Sequence, residues 1–185
     1  MTDVPIPLRC AARPVQGGRV VPWVALELPD GSWEFRGCQR SKVEHCFTNT
    51  VCQVCGQAIP GVVVFFFAEQ DLADMTTDVP PCHPECAAYS IPTCPMINGR
   101  LATYTSMQTR AERTTECTDP GCDCGGYIKV DHHDRTGVPA PAWFTVWCRD
   151  YAGVVDDDGR VWGAKVLNPL KVRPVRTDTA TECPA

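Results

Sequence analysis

Apolar and polar residues alternate around Trp23 from Val20 to Leu28, and a second alternating stretch follows from Ser32 to Arg36. The intervening Pro29-Asp30-Gly31-Ser32 is a turn signal, so the pair predicts a β-hairpin. Val43, Cys46 and Phe47 share one face of a short helix predicted over 40–47. The longest apolar run, Gly61 to Ala68, is strand-like and far shorter than a membrane span. Pro84 marks the first turn of another helix, because its missing N–H costs nothing there. That helix is expected to stop before Pro92. Ala142 to Cys148 alternates again, with Trp143 and Trp147. The sequence from Val154 to Trp162 predicts a tight hairpin with Asp158 and Gly159 at positive φ. A last strand is expected within 166–175, broken by Pro169.

These elements predict an α+β protein, strand-dominated with short helices and antiparallel hairpins. Its expected parts are an N-terminal arm and β-hairpin over 1–50, a compact metal unit over 51–99, and a cysteine-rich loop with a C-terminal antiparallel sheet over 100–176. The arm, residues 1–19, reads as irregular, and 177–185 as a disordered tail. Residues 51–176 are expected to pack with 20–50 as one domain, the C-terminal sheet lying against the N-terminal hairpin.

Cysteine usage changes this picture most. The chain has 185 residues and 13 cysteines, far more than an ordinary domain carries. Its first residues lack a basic stretch followed by an apolar one, so no secretory signal is read there and a cytoplasmic setting is expected. In such a setting thiols stay reduced, and metal binding is favoured over a disulfide framework. Cys52 and Cys55 form a CxxC knuckle followed by Gly56, which tolerates the backbone angles that let amides face the sulfurs. His83 and Cys86 lie three positions apart on the first turn of the predicted helix and so share a face. Two ligands from a knuckle and two from a helix start make a treble-clef-like Zn²⁺ site of Cys52, Cys55, His83 and Cys86. Cys82 competes with His83 for the third position. A thioredoxin-like use of the CxxC pair is disfavoured, because no βαβ setting surrounds it.

Cys117, Cys122 and Cys124 form a second cluster, with His132 as the candidate fourth ligand. His133, Cys148, Cys94 and Cys10 are alternatives to it. One zinc ion is therefore expected, and a second where this cluster is also filled.

The net charge is −5, which opposes general phosphate neutralisation and favours a protein over a nucleic acid as partner. The basic stretch from Arg160 to Arg176 reads as a solvated strand face. The segments around Cys52 and Cys55, around His83 and Cys86, around Cys122 and Cys124, and Trp143 to Trp147 resemble a family of small uncharacterised proteins of actinobacteria and actinobacteriophages. The resemblance implies the same metal-binding core and no particular activity.

A non-enzymatic zinc module that recognises a macromolecular partner is the leading expectation, with Trp33 and Trp162 as candidate contacts. The alternatives are a metal-dependent nuclease of His-Asn-His type using His132 or His133, and a phage accessory or structural component. The later Asn and His of that nuclease pattern are missing. Asp131-His132-His133-Asp134 also echoes a phosphoesterase motif whose partner motifs are absent.

Overall fold

The computed structural model describes residues 4–28, 31–103, 127–128 and 137–175. It is strand-rich and mixed α+β, as expected. The arm opens with a 3₁₀ turn over Leu8–Cys10 and a two-residue hairpin, β1 (Val15–Gln16) with β2 (Arg19–Val20). β3 (Ala25–Glu27) and β4 (Trp33–Gln39) form the predicted hairpin, with Gly31 at φ 76° in its turn. β4 leads into α1 (Arg40–Asn49), which buries Val43, Cys46 and Phe47 as its pattern requires. The C-cap Thr50 takes a left-handed conformation and turns the chain into the knuckle.

Next come β5 (Val63–Ala68), a 3₁₀ turn over Glu69–Leu72, β6 (Thr76–Thr77) and α2 (Pro84–Thr93). The chain continues through β7 (Tyr127–Ile128), β8 (Trp143–Cys148), β9 (Ala152–Val155), β10 (Val161–Lys165) and β11 (Lys171–Pro174).

α2 does not stop before Pro92 but includes it. Pro92 sits in the last turn. There Thr93 donates its hydroxyl to the Tyr89 carbonyl and the Cys94 amide reaches the Ser90 carbonyl, so the ladder closes around the proline. Trp23 is not in a strand. Pro22 precedes it, and the amides of Trp23 and Val24 bond to the knuckle carbonyls of Val54 and Gln53 at 3.0 and 3.2 Å.

Nor do the C-terminal strands form one sheet against the N-terminal hairpin. They divide between two sheets, ordered β11-β8-β5 and β6-β10-β9, and each takes in a strand from 51–99. β7 instead completes the sheet β3-β4-β7. β5 pairs antiparallel with β8 along its whole length, from Val63 opposite Cys148 to Ala68 opposite Trp143. Every residue of β5 is buried, which explains a continuous apolar run in place of alternation. The β9-β10 turn also differs from the expected tight one. The Asp156 carboxylate accepts the amides of Asp158 and Arg160, and of Asp158 and Gly159 only Gly159 has a positive φ, 77°. The extra residue lets one glycine supply the left-handed step that a two-residue turn would ask of both. No helix among the described residues is long and apolar enough to cross a membrane.

Phe65 is fully buried and meets the Tyr151 ring edge-on at 5.0 Å. Phe65→Ala should destabilise the protein by about 3–5 kcal/mol. Val172→Ala, at an exposed position of β11, should stay within about 0.5 kcal/mol of the parent. Chemical denaturation of both variants checks this.

Candidate metal centre

The knuckle is fixed by its backbone before any side chain is considered. The Gly56 amide closes it on the Cys52 carbonyl at 2.8 Å, and the Cys52 amide reaches the Gln57 carbonyl at 2.9 Å. Val51 bridges Ala58, and the Gln53 amide donates to the Pro81 carbonyl at 2.9 Å. That last bond draws the 80–83 segment alongside the knuckle. Val64 and Cys82 exchange backbone hydrogen bonds of 2.8 and 3.0 Å. The chain then leaves β5's edge at Cys82 and enters α2 with His83 as N-cap and Pro84 at the helix start.

The consequence is a convergence of four donors. One ligand atom from each of Cys52, Cys55, His83 and Cys86 lies within 4.8 Å of all the others. All four residues are buried, Cys55 being the most exposed at 7%. The ring of His83 is held by both nitrogens: Nε2 lies 3.0 Å from the Ala58 carbonyl, and Nδ1 lies 3.4 Å from Cys55 Sγ. A carbonyl can only accept, so Nε2 carries the proton and Nδ1 points a lone pair into the cluster. This is the way a metal-ligating histidine is normally oriented.

Electrostatics within the cluster are those of thiols crowded away from water. Hydrogen bonds from Cys55, Cys82 and Cys86 hold Cys52 well below the ordinary thiol range, as a thiolate. Cys55, donating to Cys52, is pushed up to about 11. Cys86 is also raised, by donating to Cys52 and Cys55 and by burial. One thiolate thus suppresses ionisation of its neighbours. A dication reverses this order, because a coordinated thiol gives up its proton outright. Four soft and borderline donors with no carboxylate suit a tetrahedral ion such as Zn²⁺.

Cys82 is buried beside this set but outside the quartet. Its Sγ accepts a hydrogen bond from Gln53 Nε2 at 3.3 Å, and donation to Cys52 raises its pKa well above the ordinary value. The amide of Gly56 serves the turn; the amides that face sulfur are those of Cys55, towards Cys52, and Gln57, towards Cys55. Cys10 reaches this centre, its Sγ 3.9 Å from Cys86 Sγ. The sequence offers it only to the second cluster, and nothing in its local sequence signals this contact. Cys94 caps α2 and Cys148 is buried in β8. Cys117, Cys122, Cys124, His132 and His133 lie outside the described residues, so the second cluster and the nuclease histidines have no structural description. Trp33 is half-buried, with Arg13 and Lys42 5.9 and 6.0 Å from its ring centre, whereas Trp162 is exposed. No protein-family model, curated protein or solved structure matches the chain.

Gly56 has φ 77°, and a Cβ there would lie 2.6 Å from the Trp23 ring. Gly61 has φ 99°, with nothing within 4 Å of its Cβ position. Alanine therefore costs backbone strain at both positions but a clash only at Gly56. Gly56→Ala should melt lower and bind metal more weakly than Gly61→Ala, by thermal denaturation and chelator competition. The raised pKa values of Cys55 and Cys86 also set a sign. Both bind protons at neutral pH and must lose them on coordination, so metal affinity should rise with pH across the neutral range and less steeply above about 11, where Cys55 ionises unaided. Near neutrality about two protons should be released per ion bound. Calorimetry in buffers of different ionisation enthalpy reads this directly, and a pH-independent affinity would contradict it.

Proposed function

We propose that this chain is a structural zinc protein, a non-enzymatic recognition module whose metal fixes the knuckle against α2. The observation that carries this reading is the closed, buried quartet of Cys52, Cys55, His83 and Cys86. Structural zinc sites fill all four positions with protein donors, whereas catalytic sites keep one for water or substrate. Knuckle, β5 and helix start follow a treble-clef-like order. A structural zinc ion in small domains contributes on the order of 10 kcal/mol of binding free energy, which becomes folding free energy.

The recognition half of the proposal rests on surface composition. Trp162 is 42% exposed and Leu167, Leu170 and Val172 are exposed with it on the C-terminal strands and their connection. Exposed tryptophan is an anchor residue at protein interfaces. The net charge of −5 favours a protein partner over a polyanion.

Elemental analysis of protein purified without added metal tests the first half. About one zinc per chain is expected from this centre, falling by about one in Cys86→Ser, with loss of protease resistance. A Cys86→Ser protein with wild-type metal content and melting temperature would remove the structural site. For the second half, an immobilised wild-type chain should retain a protein that Trp162→Ala does not. Failure of the wild-type chain to retain any partner would sink the recognition role and leave the metal site standing.

A further inference from the structure

The arm that carries Cys10 is tied to the metal centre from both sides. Arg9 Nε donates to Glu85 Oε1, and Arg9 Nη1 reaches Gln57 Oε1 at 3.2 Å. Gln57 Nε2 returns a bond to the Arg9 carbonyl at 3.2 Å. Arg13, further along, donates to the carbonyls of Val21 and Pro22. These contacts bring the immediate neighbours of Cys10 and Cys86, Arg9 and Glu85, into direct pairing. They leave the two sulfurs facing each other at 3.9 Å in a buried position. A disulfide needs about 2.05 Å, so the sulfurs must close by roughly 2 Å. α2 holds Cys86, so the closing movement falls to Cys10 at the end of the short turn over Leu8–Cys10.

We propose that Cys10 is a resolving thiol for Cys86: a peroxide oxidises the Cys86 thiolate, and Cys10 closes on it as a disulfide that withdraws Cys86 from the metal. The inference rests on the zinc reading twice, for the Cys86 thiolate, which coordination supplies, and for its consequence, metal release. In the first step the Cys86 thiolate attacks one peroxide oxygen. The O–O bond breaks, a sulfenic acid forms, and hydroxide leaves. In the second step the Cys10 sulfur attacks the sulfenic sulfur, the S–O bond breaks, and the Cys10 proton and the departing hydroxide make water. A further proton neutralises the first hydroxide. In sum, one thiolate, one thiol, one peroxide and one proton give one disulfide and two waters. The two sulfurs lose two electrons and the peroxide gains them.

A cleft of about 520 Å³ on the side of the arm is lined by Pro7, Leu8, Arg9, Gln57 and Glu85. Its walls include the three side chains that tie the arm to the centre, and the two buried sulfurs lie behind them. Two thiols outside the quartet, Cys10 and Cys82, touch its members: Cys10 contacts Cys86, whereas Cys82 contacts Cys52 and is bonded by Gln53. A cross-link at Cys10 would leave Cys52, Cys55 and His83 as three donors, too few for a closed tetrahedral site.

The test uses the full chain with its zinc content measured beforehand. Hydrogen peroxide is added while a chromogenic chelator records metal release; free thiols are then blocked and cross-linked peptides mapped by mass spectrometry. The expected result is a Cys10–Cys86 disulfide as the first cross-link, forming in step with zinc release. A dithiol and added zinc should reverse both. In Cys10→Ser the cross-link should be lost, and Cys86 should go on to the sulfinic state that dithiol does not restore. A first disulfide among Cys52, Cys55 and Cys86, or a Cys10→Ser protein with unchanged release and full reversal, overturns the proposal. A wild-type chain that holds no zinc as purified and takes up none when it is added would overturn the zinc reading and the proposal with it. A zinc-loaded chain whose map lacks Cys10–Cys86 would reject the cross-link and leave the zinc reading standing. Should Cys10→Ser fail to fold, the wild-type map still decides.

Discussion

Three thiols and an imidazole are packed where water does not reach, and the surrounding architecture depends on how their charge is settled. Without a cation the cluster tolerates one thiolate, Cys52, stabilised by donation from its neighbours. Further negative charge is resisted, as the raised values of Cys55 and Cys86 indicate. Burial of several unpaired charges costs more than a small domain can supply. A divalent ion turns the same crowding into attraction. The four donors come from two segments that are otherwise joined through Gln53, whose amide reaches Pro81 and whose side chain reaches Pro80 and Cys82, and through the bond from His83 to Ala58. Coordination at this point would add a tie between the start of α2 and the knuckle stronger than any of these.

Order spreads outward from that junction. Cys82 belongs at once to the approach to α2 and to the edge of β5, through its paired hydrogen bonds with Val64. β5 forms the edge of a sheet whose other two strands, β8 and β11, come from the last quarter of the described chain. On the other side, Trp23 packs over Gly56 and donates its amide to Val54, which fastens the N-terminal hairpin to the knuckle. Metal centre, sheet and hairpin are therefore one packed body, with the sulfur cluster inside the hydrophobic core.

What could be read from the sequence was what short spacing determines. Cys52 to Cys55 and His83 to Cys86 converge because a tight turn and one helical turn each present two side chains to one point, and both spacings are local. The hairpin at Gly31 and the buried face of α1 are local in the same sense. Strand partnership is not. The run from Val63 to Ala68 signals a strand buried on both faces but carries no mark that says it pairs with Trp143–Cys148. Cys10 escaped for the same reason: its place beside Cys86 is set by Arg9 meeting Glu85 and Gln57, contacts far apart in the chain. At Pro92 and Asp158 the local rule itself was outweighed, by a closing hydrogen bond and by a longer turn.

The split between local and distant pairing carries a temporal consequence for the nascent chain. All four quartet residues have been made once residue 86 is added, whereas the strand that covers β5 ends at Cys148. For the whole interval between them, Phe65, Phe66 and Phe67 sit on a strand whose main partner does not yet exist. Unpaired apolar strands of this kind invite association with other chains. An ion captured early would hold Val64 against Cys82 and leave less of that strand open while synthesis catches up. On the ribosome, the metal's service would thus come before the sheet exists at all.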